Sequence, residues 1–222
     1  MAKGNIIKTI FGSMIKLEVN DKVYKIPESF EEMTLEQYCK VFYKLDTSES
    51  DDEVESFKKS KENESIILSR LLGEKDDFCL DLPLNVYALL NEKVKFLYDV
   101  DYLLKNSRAG IVVDGKRYSI PPFNEMSLRQ YIDADVVMKE KENDMQYIEL
   151  LSILLTTKDK QGKWESYTGD YQDMMGKLRK LKCSEALPIV YHFFKKGESL
   201  KVISQVSMKV AETQQPQLIQ SS

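Results

Sequence analysis

One stretch of this chain occurs twice, and that repeat constrains the fold more than any other feature of the sequence. The first copy, 19–38, reads VNDKVYKIPESFEEMTLEQY, and the second, 113–131, reads VDGKRYSIPPFNEMSLRQY. Tyr24 matches Tyr118 at an offset of 94, and Tyr38 matches Tyr131 at 93, because Glu28-Ser29 is replaced by Pro122. A duplicated segment implies a duplicated local plan, which any fold must accommodate twice.

That plan is legible residue by residue. Asn20-Asp21 and Asp114-Gly115 separate extended segments, and Asp-Gly suits a type I′ turn, whose two central residues need positive φ. Lys16 to Val19 then pairs with Val23 to Ile26, and Gly110 to Val113 with Arg117 to Ile120. Pro27 and Pro121 cannot donate to a ladder and end each hairpin. Thr34 and Ser127 follow as N-caps, with Gln37 and Gln130 three residues on, the spacing of a capping box. Met33 with Tyr38, and Met126 with Tyr131, have the spacing of a hydrophobic staple. Read this way, the motif builds a hairpin-to-helix corner and needs no ligand to explain it.

A second match extends the duplication. Leu151-Ser152-Ile153-Leu154-Leu155 echoes Leu68-Ser69-Arg70-Leu71-Leu72 at an offset of 83, so the intervening segment is shorter in the second half. The expected fold class is α+β and mainly helical, with two tandem similar units each led by a small antiparallel hairpin. The units are expected at 1–108 and 109–197, followed by a C-terminal helix and polar tail over 198–222.

Periodicity supplies the helices. The first runs from Leu35 and stops near Asp46. Thr47 to Asn63 is rich in Ser, Glu, Asp and Lys and reads as a solvated acidic loop, with a little helix around Val54 and Phe57. Ile66 to Leu72 forms a helical stripe that Gly73 ends. Leu84 to Leu104 reads as the longest helix of the first half, with Pro83 in its first turn. The second half offers helices over 128–142, 150–155, 171–181 and 185–196, with Pro188 bending or delaying the last. Trp164 reads as a local core plug in preference to an interface anchor. Asn5 to Ile15 suggests a further strand or a docking arm. Glu198 to Ala211 suggests an amphipathic helix, and Glu212 to Ser222 a tail ordered only against another surface.

Composition excludes several functions. The apolar share of 42% supports a core, and 32 basic against 36 acidic residues, a net charge of −4, argue against an electrostatic nucleic-acid binder. Cys39, Cys79 and Cys183 are scattered and odd in number, which fits a reducing compartment better than a disulfide framework. Met1 to Phe11 is a poor signal peptide, and no stretch has the length of a membrane span.

The search for chemistry yields no catalytic, cofactor-binding or metal residues. His192, the single histidine, lies among apolar residues on a helix and reads as packed or partly exposed. Asp51, Asp52 and Glu53 lack the spacing and glycine of a calcium loop. No H-E-x-x-H, G-x-S-x-G or P-loop pattern occurs, so no cofactor and no enzymatic activity are expected.

The string Tyr24-Lys25-Ile26-Pro27-Glu28-Ser29-Phe30, followed by Met33-Thr34 and Gln37-Tyr38, resembles a hairpin-plus-helix signature of small proteins of tailed bacteriophages. These are tail-assembly chaperones and neck or tail structural proteins, especially of phages infecting Bacteroidetes-type hosts. Phe30 and Phe123 stand where that signature more readily holds Trp. The resemblance implies a non-enzymatic virion protein of the neck, tail or portal region, assembled in the host cytoplasm and docked to other virion subunits in a homo- or hetero-oligomeric ring. Its alternatives are a tail-assembly chaperone absent from the mature particle and, from another class, a carboxylate-based metal-dependent enzyme.

Overall fold

The computed structural model describes residues 9–11, 14–19, 22–46, 48, 50–140 and 143–196. The expected arm before Thr9, the Asn20-Asp21 turn, the helix over 198–211 and the polar tail lie outside these residues. Among the described residues the chain is mainly helical, with eight α-helices and five short antiparallel strands. These divide into two compact units. One comprises the described residues of Met1–Phe30 with Lys44–Val100, and the other Glu31–Tyr43 with those of Asp101–Glu198. The sequence repeat and the compact units are therefore cut differently: the first copy's hairpin lies in one unit, and its helix in the other.

The first unit opens with a sheet of β1 (Thr9–Phe11), β2 (Met14–Val19) and β3 (Lys22–Ile26), in that order. Leu17 pairs with Tyr24 and Val19 with Lys22, one residue tighter than pairing Lys16 to Val19 with Val23 to Ile26 would give. On β3 alternate residues Tyr24 and Ile26 are buried, as a half-buried strand requires. Phe30 closes against Phe96 edge to face at 5.2 Å.

Helix α2 (Glu53–Leu71) corrects the acidic-loop reading: most of that segment is the first half of a 19-residue helix. Asp52 caps it, accepting from the backbone N–H of Val54 at 2.8 Å and Glu55 at 3.4 Å. Glu53 and Glu55 lie at the positive end of the helix dipole, and Glu55 pairs with Lys59 one turn on. Its exposed, polar first half thus rests on the cap and ion pairs, while Ile67 and Leu68 bury the second half. The end is as expected. Gly73 takes φ +71, Gly73 N–H donates to Arg70 O, and Glu74 N–H donates to Ser69 O, a Schellman closure.

The long helix expected over Leu84 to Leu104 is divided into α3 (Leu84–Lys93), a 3-10 turn at Lys95–Tyr98 and α4 (Val100–Lys105), which belongs with the second unit from Asp101 onward. Pro83 stands at the N-cap of α3 and not in its first turn. Val86, Leu90 and Val94 step by four residues, so the stripe drifts by about 40° per step. The tighter 3-10 turn then lets Leu97 be buried too. The apolar spacing survives the break, which is why periodicity alone could not reveal it. α2 is accordingly the longest helix described.

In the second unit, β4 (Gly110–Val113) and β5 (Lys116–Ser119) form a two-residue hairpin with Val113 opposite Lys116. Asp114 and Gly115 both have positive φ, 50° and 76°, as a type I′ turn demands. Gly110 is fixed by crowding, since a Cβ there would lie 2.6 Å from Ser119 Oγ and 2.9 Å from Tyr118 O. Thr156 continues the sheet through reciprocal backbone bonds with Ser119.

α5 (Leu128–Glu140) packs on α6 (Gln146–Leu154), and α6 on α7 (Gln172–Lys180). Ala134, Val137, Leu150, Ile153 and Leu154 form the core between α5 and α6. α8 (Cys183–Lys196) starts two residues earlier than expected and carries Pro188 inside it. Pro188 has no N–H for the Ser184 carbonyl one turn back. Arg108 compensates: its Nη2 donates to Glu185 O at 2.8 Å and Ser184 O at 3.4 Å. The helix is therefore not delayed by its proline.

Candidate functional site

The two corners of the repeat begin alike and then diverge. α1 (Leu35–Phe42) starts with the full capping box: Gln37 N–H donates to Thr34 Oγ1 at 3.2 Å, and Thr34 N–H donates to Gln37 Oε1 at 2.9 Å. In the second copy Ser127 Oγ accepts from Gln130 N–H at 3.2 Å, but the reciprocal bond is replaced. Gln130 is buried, and its Nε2 donates instead to Ile153 O at 2.7 Å and Leu154 O at 3.3 Å. It satisfies carbonyls at the end of α6 that no intrahelical donor can reach. The expected second capping box is thus half formed.

The staples diverge too. Met33 is fully buried, and Tyr38 is half-buried with its ring 4.6 Å from that of Phe42. In the second copy Met126 packs against the α5–α6 core, while Tyr131 is exposed.

α1 ends at Phe42, short of the expected Asp46, because Tyr43 is extended and Lys44 takes φ +50. Within its compact unit α1 packs on α6, α7 and α8. The backbone joins it to the turn between α7 and α8: Leu35 N–H donates to Leu181 O at 2.8 Å, and Cys183 N–H donates to Met33 O at 2.9 Å. Cys183 Sγ also donates to Thr34 O at 3.2 Å. The repeat-equivalent face of α5 is open instead, with Leu128, Tyr131, Ile132 and Val136 exposed. This apolar stripe is the described surface most suited to contact with another protein.

Two buried carboxylates escaped the sequence reading. Glu64 on α2 accepts from Lys61 Nζ at 2.8 and 2.9 Å, from Tyr87 Oη at 3.0 Å and from Asn91 Nδ2 at 3.5 Å. Burial first, then the Glu64 charge, pushes the phenols of Tyr87 and Tyr98 upward. Glu149 on α6 accepts from Tyr171 Oη at 2.6 Å. The available signal was Glu64 three and four residues before Ile67 and Leu68, and Glu149 four before Ile153, which places both on a buried face. These interactions account for the burial of both carboxylates without catalysis.

The remaining candidates stay apart. Trp164 is half-buried and not a core plug; its Nε1 donates to Glu125 Oε2 at 2.6 Å, and Lys158 Nζ lies 4.5 Å from the ring centre. His192 is half-buried on α8. Asp52 is occupied as a helix cap. Cys39, Cys79 and Cys183 are buried free thiols, and burial pushes Cys39 up to about 12. Among the described residues no group of three His, Cys, Asp or Glu could hold a metal ion, and no helix is long and apolar enough to cross a membrane. No family model, curated protein or solved structure matches this chain.

Proposed function

We propose that this chain is a non-enzymatic structural protein of a tailed-bacteriophage particle, acting in the neck, tail or portal region by docking to neighbouring subunits. The observation that carries this reading is the apolar stripe of α5, whose repeat-equivalent in α1 is a packed face. An uncovered apolar stripe on a helix favours contact with protein over chemistry. The resemblance of the duplicated hairpin-plus-helix motif to phage neck and tail proteins supplies the setting.

The same reading holds that the chain descends from two tandem units of one design. Two paired features support it. Ser69 and Ser152 each bond the carbonyl four residues back, Ser65 O at 2.8 Å and Ile148 O at 2.6 Å. Asn63 Nδ2 donates to Asp46 O at 2.7 Å, while Gln146 Nε2 donates to Val137 O at 2.9 Å, so each amide ties the second helix of its copy to the chain at the end of the first.

Quantitative mass spectrometry of purified particles tests the proposal. A structural protein is present at a fixed copy number in mature particles. Presence in assembling lysates but absence from mature particles identifies the tail-assembly chaperone instead.

A further inference from the structure

We draw no further inference here: the strongest candidate, the exposed apolar face of α5 formed by Leu128, Tyr131, Ile132 and Val136, already carries the proposed function, and nothing in the structure shows what covers it.

Discussion

Tyr171 donates a 2.6 Å hydrogen bond to the buried carboxylate of Glu149, and Tyr87 makes a similar bond to Glu64 at 3.0 Å. The two bonds differ in length. Glu64 also receives both contacts from Lys61, which lies three residues before it. Tyr171→Phe should therefore cost about 1–3 kcal/mol, because a buried charged acceptor loses a short bond. Tyr87→Phe should cost about 1 kcal/mol or less. Urea denaturation of both variants checks the order, and equal losses would show that the shorter bond is not the stronger one.

Helix α2 gives a second prediction. Asp52→Ala removes the side chain that accepts from Val54 and Glu55 N–H, and should cost about 1 kcal/mol. Because Val54 and Phe57 are exposed, little packing holds this end. The loss should appear as fraying of Glu53 to Lys59, seen as faster amide exchange there than in Ile67 to Leu71. Unchanged exchange at Val54 and Glu55 would mean that the cap does not hold the helix start.

These cases show which parts of the fold were legible. The hairpins, the type I′ turn at Asp114-Gly115, the Thr34 box and the Gly73 stop were readable because each depends on neighbours within a few residues, though both ladders are one residue tighter than the segments read from the sequence. The beginning of α2 was missed because its composition resembles a solvated loop, and only the Asp52 cap with its ion pairs decides otherwise. The break after Lys93 was invisible because a 3-10 turn preserves the apolar spacing. Gln130 was assigned to its local box, whereas a longer-range demand, the unpaired carbonyls of α6, takes its side chain. The open face of α5 was least accessible of all. Its residues match α1 in kind, and only tertiary packing separates their fates.

Alkaline pH should destabilise the fold. Burial first, then the bond to Glu74, pushes Tyr24 from 10.0 up to about 12, and burial first, then Asp144 and Glu36, pushes Cys39 from 9.0 up to about 12. Each folded-state value lies above its unfolded value, so the neutral form is favoured in the fold. The stability from this preference is fully present below about pH 9 and is lost as pH rises through about 12. Urea midpoints measured between pH 7 and 12 should be flat at first and then fall. At pH 8 the three buried thiols should resist a maleimide until the chain is unfolded. Rapid native labelling of Cys39 or Cys183 would contradict the packing around α1.

Arg108 and Pro188 make a coupled pair. Arg108→Ala removes the Nη2 donor to Ser184 O and Glu185 O in the turn that Pro188 leaves short of a bond. A loss of about 1–3 kcal/mol is expected. Pro188→Ala restores the missing N–H, so Arg108→Ala should cost less in that background. A double-mutant cycle measures the difference, and strict additivity would show that the guanidinium does not compensate for the proline.

The sharpest prediction sets repeat-equivalent leucines against each other. Leu35 and Leu128 both follow an N-cap, and both open a helix of the same motif. Leu35 is buried within the unit that holds α6, α7 and α8, and its N–H is bonded to Leu181 O. Leu35→Ala should therefore cost about 2–5 kcal/mol, the transfer loss plus a cavity that neighbouring helices cannot fully close. Leu128→Ala should leave the isolated chain within about 0.5 kcal/mol of wild type, since its side chain already faces solvent. Thermal melts at low protein concentration check both without interference from association. Similar losses at the two positions would mean that both corners are seated in the same way, and the open face on α5 would lose its basis.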